Sequence, residues 1–242
     1  MFRSLLYEKS LGVFLIVTGF FSISLLIATF VWGYQESFLI LNALRIPILD
    51  DYAPFFTEFG NGFYVSIFAL LLACAYDKYW KVSLEIILCV LVTALIVHFC
   101  KQVLFSDWHR PAKLLRDKSI HVLLSPVPEH NSFPSGHSIT IMSACTVLST
   151  VSRNFLYQFF LGVAACLIAY TRIYVGAHFP ADVAVGSFMG LIISMIVLYF
   201  LRNFDTQKIE KNTYVRYGLY IVTVICLLVA LLSQIDIYNL FA

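Results

Sequence analysis

Charge-free apolar runs alternate with short polar connections along almost the whole chain. The first run, Leu11 to Gly33, follows Arg3 and Lys9 and contains no charged residue. A hydrocarbon core about 30 Å thick is crossed by roughly 20 apolar residues in a helix, so this run predicts a membrane span. It is too long for a signal-peptide core and carries no small-x-small cleavage site, which predicts a retained anchor. Comparable runs predict helices over 59–76, 82–100, 136–152, 154–172, 182–201 and 215–235. Residues 34–58 differ, mixing Leu and Ile with Arg45, Pro47, Asp50, Asp51 and Pro54. That pattern predicts a short helix lying in the membrane interface, then a turn. The fold class expected is an all-α polytopic membrane helix bundle: six core transmembrane helices plus a seventh at the C-terminus, in one domain covering 1–242.

Composition agrees and excludes rivals. Hydrophobic residues make up 60% of the 242 and charged residues 12%, against about 25% charged in soluble domains. A net charge of +2 gives no basic face for nucleic acid. Of the six cysteines, all but Cys100 lie well inside apolar runs, and no CxxC or Cys/His ladder exists; buried free thiols are expected, not disulfides or zinc ligands. With the N-terminus inside, nine Lys and Arg fall on the cytoplasmic side and seven outside, a weak positive-inside bias.

Three polar clusters interrupt this background. The first, Lys101 to Pro111, closes the third span. The second, Phe133-Pro134-Ser135-Gly136-His137-Ser138, opens the fourth. The third, Thr171 to Asp182, links the fifth and sixth and contains Arg172, His178 and Pro180. Because those spans alternate direction, all three clusters face one side of the membrane. Each suits a phosphate pocket. A Gly at a helix start lets backbone N–H groups approach an anion. Lys101, Arg110 and Arg172 bring positive charge, Arg with a planar fork that matches phosphate oxygens. His178 and Asp182 have the spacing of a nucleophile or base and the carboxylate that orients it. Pro180 suits a first helical position.

The clusters resemble the signature of the type 2 phosphatidic acid phosphatase superfamily, K-x6-R-P, P-S-G-H and S-R-x5-H-x3-D, over about residues 60–201. Here Thr171 replaces the usual Ser, and eight residues rather than six separate Lys101 from Arg110. The resemblance implies a membrane lipid phosphatase of a bacterial cytoplasmic membrane, its site on the outer face, working without cofactor or metal. It implies His178 as nucleophile, Asp182 as its orienting carboxylate, and His137 as acid and then base. Lys101, Arg110, Arg172 and the Ser135/Gly136 backbone would hold the phosphoryl oxygens. The substrate implied is a lipid A phosphate, with the 1-position favoured, or else undecaprenyl diphosphate or phosphatidylglycerol phosphate. Seven positions along a helix turn about 700°, nine about 900°; for Lys101 and Arg110 to share a phosphate, the helix must end between them, near Ser106-Asp107. Lys113 is the substitute lysine.

Bland readings stand beside these. The histidines and Asp182 could form a structural polar network or a metal site, and a polytopic bundle could be a lipid transporter or scramblase, although transport sites lie near the bilayer midplane. Glu85 is expected to snorkel or pair with Lys78 or Lys81. Trp32, Trp80 and Trp108 read as interface residues. Lys113, Arg116 and Lys118, in the 112–132 loop, could form a headgroup flap over the site.

Overall fold

The computed structural model describes residues 11–75, 79–127 and 129–203, with 217, 218, 221 and 224 beyond them. The described residues are helical, without strands. The helix expected over 215–235 falls almost wholly outside them. Four helices are long and apolar enough to cross a membrane. These are α1 (Gly12–Trp32), α6 (Trp80–Phe99, extended by a π turn over Cys100–Leu104), α9 (Phe155–Tyr174) and α10 (Pro180–Asn203). Between α1 and α6 lie α2 (Tyr34–Asn42), α3 (Pro47–Asp50), α4 (Ala53–Thr57) and α5 (Gly62–Ala75). A single turn, α7 (Pro111–Leu114), and α8 (Gly136–Ser149) complete the set.

The continuous helix expected over 59–76 is instead broken. Ala53–Gly60 and Gly62–Ala73 meet at 69°, a pair that counts as one further span only when taken together. The cause is local. Asn61 is extended (φ −76°, ψ 129°), its Oδ1 accepts the Phe63 N–H at 3.0 Å, and its Nδ2 donates to Glu58 at 2.8 Å. A side chain that bonds its neighbours' backbone competes with the helix and starts a new one.

Helix α8 is the centre of the bundle, packed by α6, α9 and α10. Its 14 residues span only about 21 Å, and the run expected over 136–152 is shortened accordingly. Because eleven of the fourteen positions are buried by other helices rather than by lipid, it carries hydroxyls that a lipid-facing span would not favour. These are satisfied internally: Ser143 Oγ meets Ser194 Oγ of α10 at 2.5 Å and Thr146 donates to the Met142 carbonyl at 2.6 Å. The approach of α10 is set by two glycines. A Cβ on Gly186 would lie 2.7 Å from the Ser135 carbonyl, and one on Gly190 2.5 Å from that of Ile139. This small-xxx-small contact is how membrane helices pack closely.

The end of the bundle opposite the three clusters is tied by a partly buried ion pair. Arg202 of α10 donates to both oxygens of Glu85 at 3.1 and 2.9 Å and to Thr150 at 2.8 Å. Glu85 is thus ion-paired, as the sequence suggested, but across helices to Arg202.

Candidate active site

The third cluster is shaped by the end of α9. Gly176 adopts φ +79°, Ala177 N–H bonds the Arg172 carbonyl at 3.0 Å and Gly176 N–H that of Ile173 at 3.1 Å. This is the left-handed glycine termination of a helix. It folds the chain back so that His178 N–H also reaches the Arg172 carbonyl at 3.1 Å. Two residues later Pro180 starts α10 with its φ already helical. Asp182, in the first turn, accepts the Phe179 N–H at 3.1 Å, capping the helix with the carboxylate that faces His178.

His178 is 1% exposed and Asp182 fully buried. Arg110 NH1 lies 3.3 Å from His178 Nε2, while Nδ1 lies 3.4 Å from Asp182 Oδ2. Arginine only donates and the carboxylate only accepts, so the consistent tautomer carries its proton on Nδ1 and aims the Nε2 lone pair at the guanidinium. Burial, reinforced by the charges of Arg110, Lys101 and Arg172, pushes the His178 imidazole well below its ordinary range. Burial therefore favours the neutral ring, the form in which a histidine can act as a nucleophile.

Asp182 also accepts from Ser132 Oγ at 2.5 Å and from the Tyr34 hydroxyl at 2.7 Å. Neither donor was singled out in the sequence. Tyr34 follows Gly33, whose φ of 89° breaks α1 from α2 and turns the ring inward. The ring stacks on Phe179 with centroids 4.2 Å apart, and burial beside Asp182 pushes its hydroxyl above the ordinary tyrosine range.

The second cluster joins the third through Ser135 N–H to the Asp182 carbonyl at 3.1 Å. Ser135 is the N-cap of α8: its hydroxyl accepts from Ser138 N–H at 3.5 Å and from the Ser138 hydroxyl at 2.9 Å. The side chain therefore serves the helix, which leaves the Gly136 and His137 N–H groups at its mouth. Gly60 packs against His137 so tightly that a Cβ there would lie 2.9 Å from His137 Cβ.

The cations arrive from three directions. Arg172, buried, donates to Thr57 Oγ1 of α4 at 2.7 Å and leaves its Nε without a partner among the described residues. Arg110 donates through Nε to the His130 carbonyl at 2.7 Å and through NH1 to that of Ala177 at 3.3 Å; burial lowers its pKa to about 10. Lys101 sits on the π turn, where Phe105 N–H reaches back five residues to the Cys100 carbonyl at 2.9 Å. A π turn takes up an extra residue in a helix. The helix then stops at Leu104, so the longer Lys101–Arg110 spacing does not carry the two to opposite faces. Lys101 and His137 line one cavity.

Lys113, the substitute, instead has its ammonium 3.3 Å from His130 Nε2. Arg116 pairs with Glu129 inside the loop, and Lys118 ties the loop to Glu36 of α2, each at 2.7 Å. Trp108 belongs to an aromatic cluster with Phe105, Phe133 and Tyr34. No cluster of three or more potential metal ligands occurs among the described residues.

Three comparisons bear on this geometry. The chain is 26% identical to an undecaprenyl-diphosphatase of Sulfolobus acidocaldarius over 178 residues, 73% of this chain and 82% of the relative. It is 28% identical to a lipid A 4'-phosphatase of Porphyromonas gingivalis over 170 residues, 67% and 70% respectively. Among solved structures it superposes on Aquifex aeolicus LpxE with a TM-score of 0.61 at 33% identity, covering 69% of this chain and 94% of that one. The family model for the PAP2 superfamily matches residues 82–206, just over half of the chain. That segment holds all three clusters, and with it this multi-pass membrane protein belongs to the PAP2 superfamily, as a hydrolase of phosphoester bonds in a family of membrane lipid phosphatases.

Proposed function

We propose that the chain removes a phosphate from a membrane lipid headgroup through a phosphohistidine on His178. The observation that carries this reading is the His178 ring, held by Asp182 on one nitrogen while the other is free of protons and faces Arg110. Nε2 attacks phosphorus, and the P–O bond to the lipid breaks. His137 gives its proton to the departing oxygen, then takes one from the water that hydrolyses the P–N bond and regenerates Nε2. Asp182 balances the imidazolium formed on attack. Lys101, Arg110, Arg172 and the Gly136 and His137 N–H groups stabilise charge on the phosphoryl oxygens; Ser135, expected to share in this through its backbone, spends its N–H on the Asp182 carbonyl.

Lipid A phosphate is the preferred substrate, supported by the Porphyromonas relative, whose name carries the 4'-position rather than the 1-position favoured from sequence. Undecaprenyl diphosphate is the second reading, supported by the Sulfolobus relative. The site is assigned to the outer face of a bacterial cytoplasmic membrane. The reading takes α8 and the bent α4–α5 pair as crossings, which gives six, with a seventh at 215–235, in a single domain whose core is about 60–201.

The test is phosphate release by purified protein in EDTA from lipid A 1- and 4'-phosphates, undecaprenyl diphosphate and phosphatidylglycerol phosphate. His178→Ala and His137→Ala are expected to lose release by at least a thousandfold while eluting as wild type. Undiminished release by His178→Ala would overturn the nucleophile.

A further inference from the structure

A cavity of about 220 Å³, separate from the one that Lys101 and His137 line, lies between the end of α2 and loop residues 119–121. Asn42, Ala43 and Arg45 wall it on one side, Ser119 and His121 on the other, and no residue assigned to the phosphate chemistry reaches it. It abuts the turn that carries His178. Asn42 Nδ2 donates to the carbonyls of Ile173 and Tyr174, in the last turn of α9, at 2.9 and 3.2 Å, and to that of His121 at 3.0 Å. Its Oδ1 accepts the His121 N–H at 2.8 Å. The His121 carbonyl in turn faces Gly176, where a Cβ would lie only 2.5 Å away. Two walls of the cavity, Asn42 and His121, are thus also supports of the turn from Arg172 to His178.

Its polar groups are held in place but not used up. Asp50 takes the Nε and one Nη of Arg45 and leaves the other Nη for a further acceptor. The second Asp50 oxygen accepts from the Tyr174 hydroxyl at 2.7 Å. His121 Nε2 stands 3.6 Å from Asp50, too far for a hydrogen bond. Both His121 ring nitrogens are buried with no hydrogen-bond partner among the described residues. A buried polar group left that way costs about 1–3 kcal/mol, so the ring calls for an acceptor from outside the chain. Asp50, the carboxylate of this group, is already engaged, and what Arg45, Ser119 and His121 lack is a further anion. Leu44, Ile46, Ile48 and Leu49, next along the chain, are all exposed. In a membrane protein such a run faces acyl chains, which puts the cavity beside it at headgroup depth, where basic side chains meet lipid phosphates. The volume of about 220 Å³ equals about seven waters at roughly 30 Å³ each, room for a phosphodiester and its first carbons but not for acyl chains.

We propose that this cavity is an accessory site for the phosphodiester headgroup of an anionic phospholipid that is not a substrate, held by Arg45, Ser119 and His121, and that its occupancy steadies the turn presenting His178. The lipid's chains lie along the exposed Leu44 and Ile48. Asn42 transmits the effect, because it lines the cavity and bonds the last carbonyls of α9. An occupied cavity fixes the end of α2 against His121, and with it the chain that sets Arg172 and His178; an empty one leaves that support looser. The proposal rests on the phosphatase reading of His178 only for its kinetic readout.

The experiment reconstitutes the protein in phosphatidylcholine vesicles with and without phosphatidylglycerol and reads kcat on water-soluble p-nitrophenyl phosphate, so that lipid substrate supply does not enter. Wild type is expected to gain about fivefold in kcat with phosphatidylglycerol, the low end of couplings between sites. Ala43→Trp, which fills the cavity, and Arg45→Gln are expected to lose that gain. Leu44→Trp, next along the chain and outside the cavity, should keep it. Glycerophosphoglycerol, the same headgroup without chains, should not replace the lipid; full activation by it would overturn the assignment to a membrane lipid. Equal kcat in both vesicles, or a gain retained by Ala43→Trp and Arg45→Gln, would overturn the site. Native mass spectrometry in detergent with added phosphatidylglycerol separates this outcome from failure of the phosphatase reading. Lipid retained by wild type and lost from Ala43→Trp supports the site even where no substrate is hydrolysed, and equal retention by both overturns it. Should Ala43→Trp fail to fold, Arg45→Gln decides.

Discussion

Tyr34 lies outside the family-matched segment 82–206, yet its hydroxyl is one of four donors on the buried Asp182 carboxylate, with Ser132, the Phe179 N–H and His178 Nδ1. Tyr34→Phe removes that donor and keeps the ring that stacks on Phe179 at 4.2 Å. Because Asp182 is fully buried, water does not replace the lost bond, and a hydrogen bond to a charged acceptor contributes about 1.5–3 kcal/mol. The carboxylate matters most when the His178 ring becomes positive, so at least half of that loss belongs to the transition state. About 1.4 kcal/mol is tenfold in rate, and kcat is expected to fall about tenfold. KM should change less than twofold, because Tyr34 is placed to touch the catalytic pair rather than the headgroup. Steady-state kinetics in detergent, with thermal melting as the folding control, makes the measurement. A Tyr34→Phe enzyme with full kcat, or one whose loss is entirely in KM, would refute the claim that α2 positions Asp182.

Four other outcomes follow from the structure. On the proposed mechanism attack requires neutral His178, so kcat/KM rises as pH passes its pKa; burial and the neighbouring cations hold that value low, and the acid limb should fall below the ordinary histidine range. Arg110→Gln removes one depressing charge, so the limb should move to higher pH even though activity is lower throughout; a limb that stays put would separate Arg110 from His178. Arg202→Ala strands the buried Glu85 carboxylate and should destabilise by about 3–5 kcal/mol, while the Glu85→Leu/Arg202→Leu pair recovers most of the loss in melting temperature. Gly190→Ala places a Cβ about 2.5 Å from the Ile139 carbonyl, so it should force α10 off α8 and lower kcat and melting temperature together, whereas Gly19→Ala, with open space around it, should do neither.

The apolar runs located α1, α6, α9 and α10 to within a few residues because a span in lipid needs length and hydropathy, both of which are written in one dimension. The same criterion misread 59–76. Hydropathy does not register that an Asn61 side chain can cap a new helix, and the break appears only as a Gly-Asn-Gly triplet in an apolar stretch. The three clusters were legible because their spacing is local: Arg172, His178 and Asp182 are brought together by one helix end and one helix start. Tyr34, Thr57 and Ser132 were not, since each is an ordinary hydroxyl whose partner is 148, 115 or 50 residues away. Only a buried charge at the far end gives such a hydroxyl meaning. The Gly33 break before Tyr34 was the one signal in the sequence that a side chain there would leave the helical path.

Neutral oxygens also explain how the site can hold its charges. Lys101, Arg110 and Arg172 converge on a pocket where Asp182 is the carboxylate that meets His178. Left to themselves the cations would repel and turn toward water. Each guanidinium is instead fixed by neutral oxygens behind it: Thr57 for Arg172, the His130 and Ala177 carbonyls for Arg110. Neutral acceptors hold orientation without cancelling charge, so the positive field stays available at the front of the pocket. A carboxylate in place of Thr57 would bind Arg172 more tightly and would neutralise what a phosphate needs. The Arg172 Nε, without a partner among the described residues, fits the same scheme: on the proposed reading an incoming phosphoryl oxygen is its acceptor. On the proposed reading the α4 segment, which the family match leaves out, contributes by holding Arg172 through a neutral acceptor that leaves its charge intact.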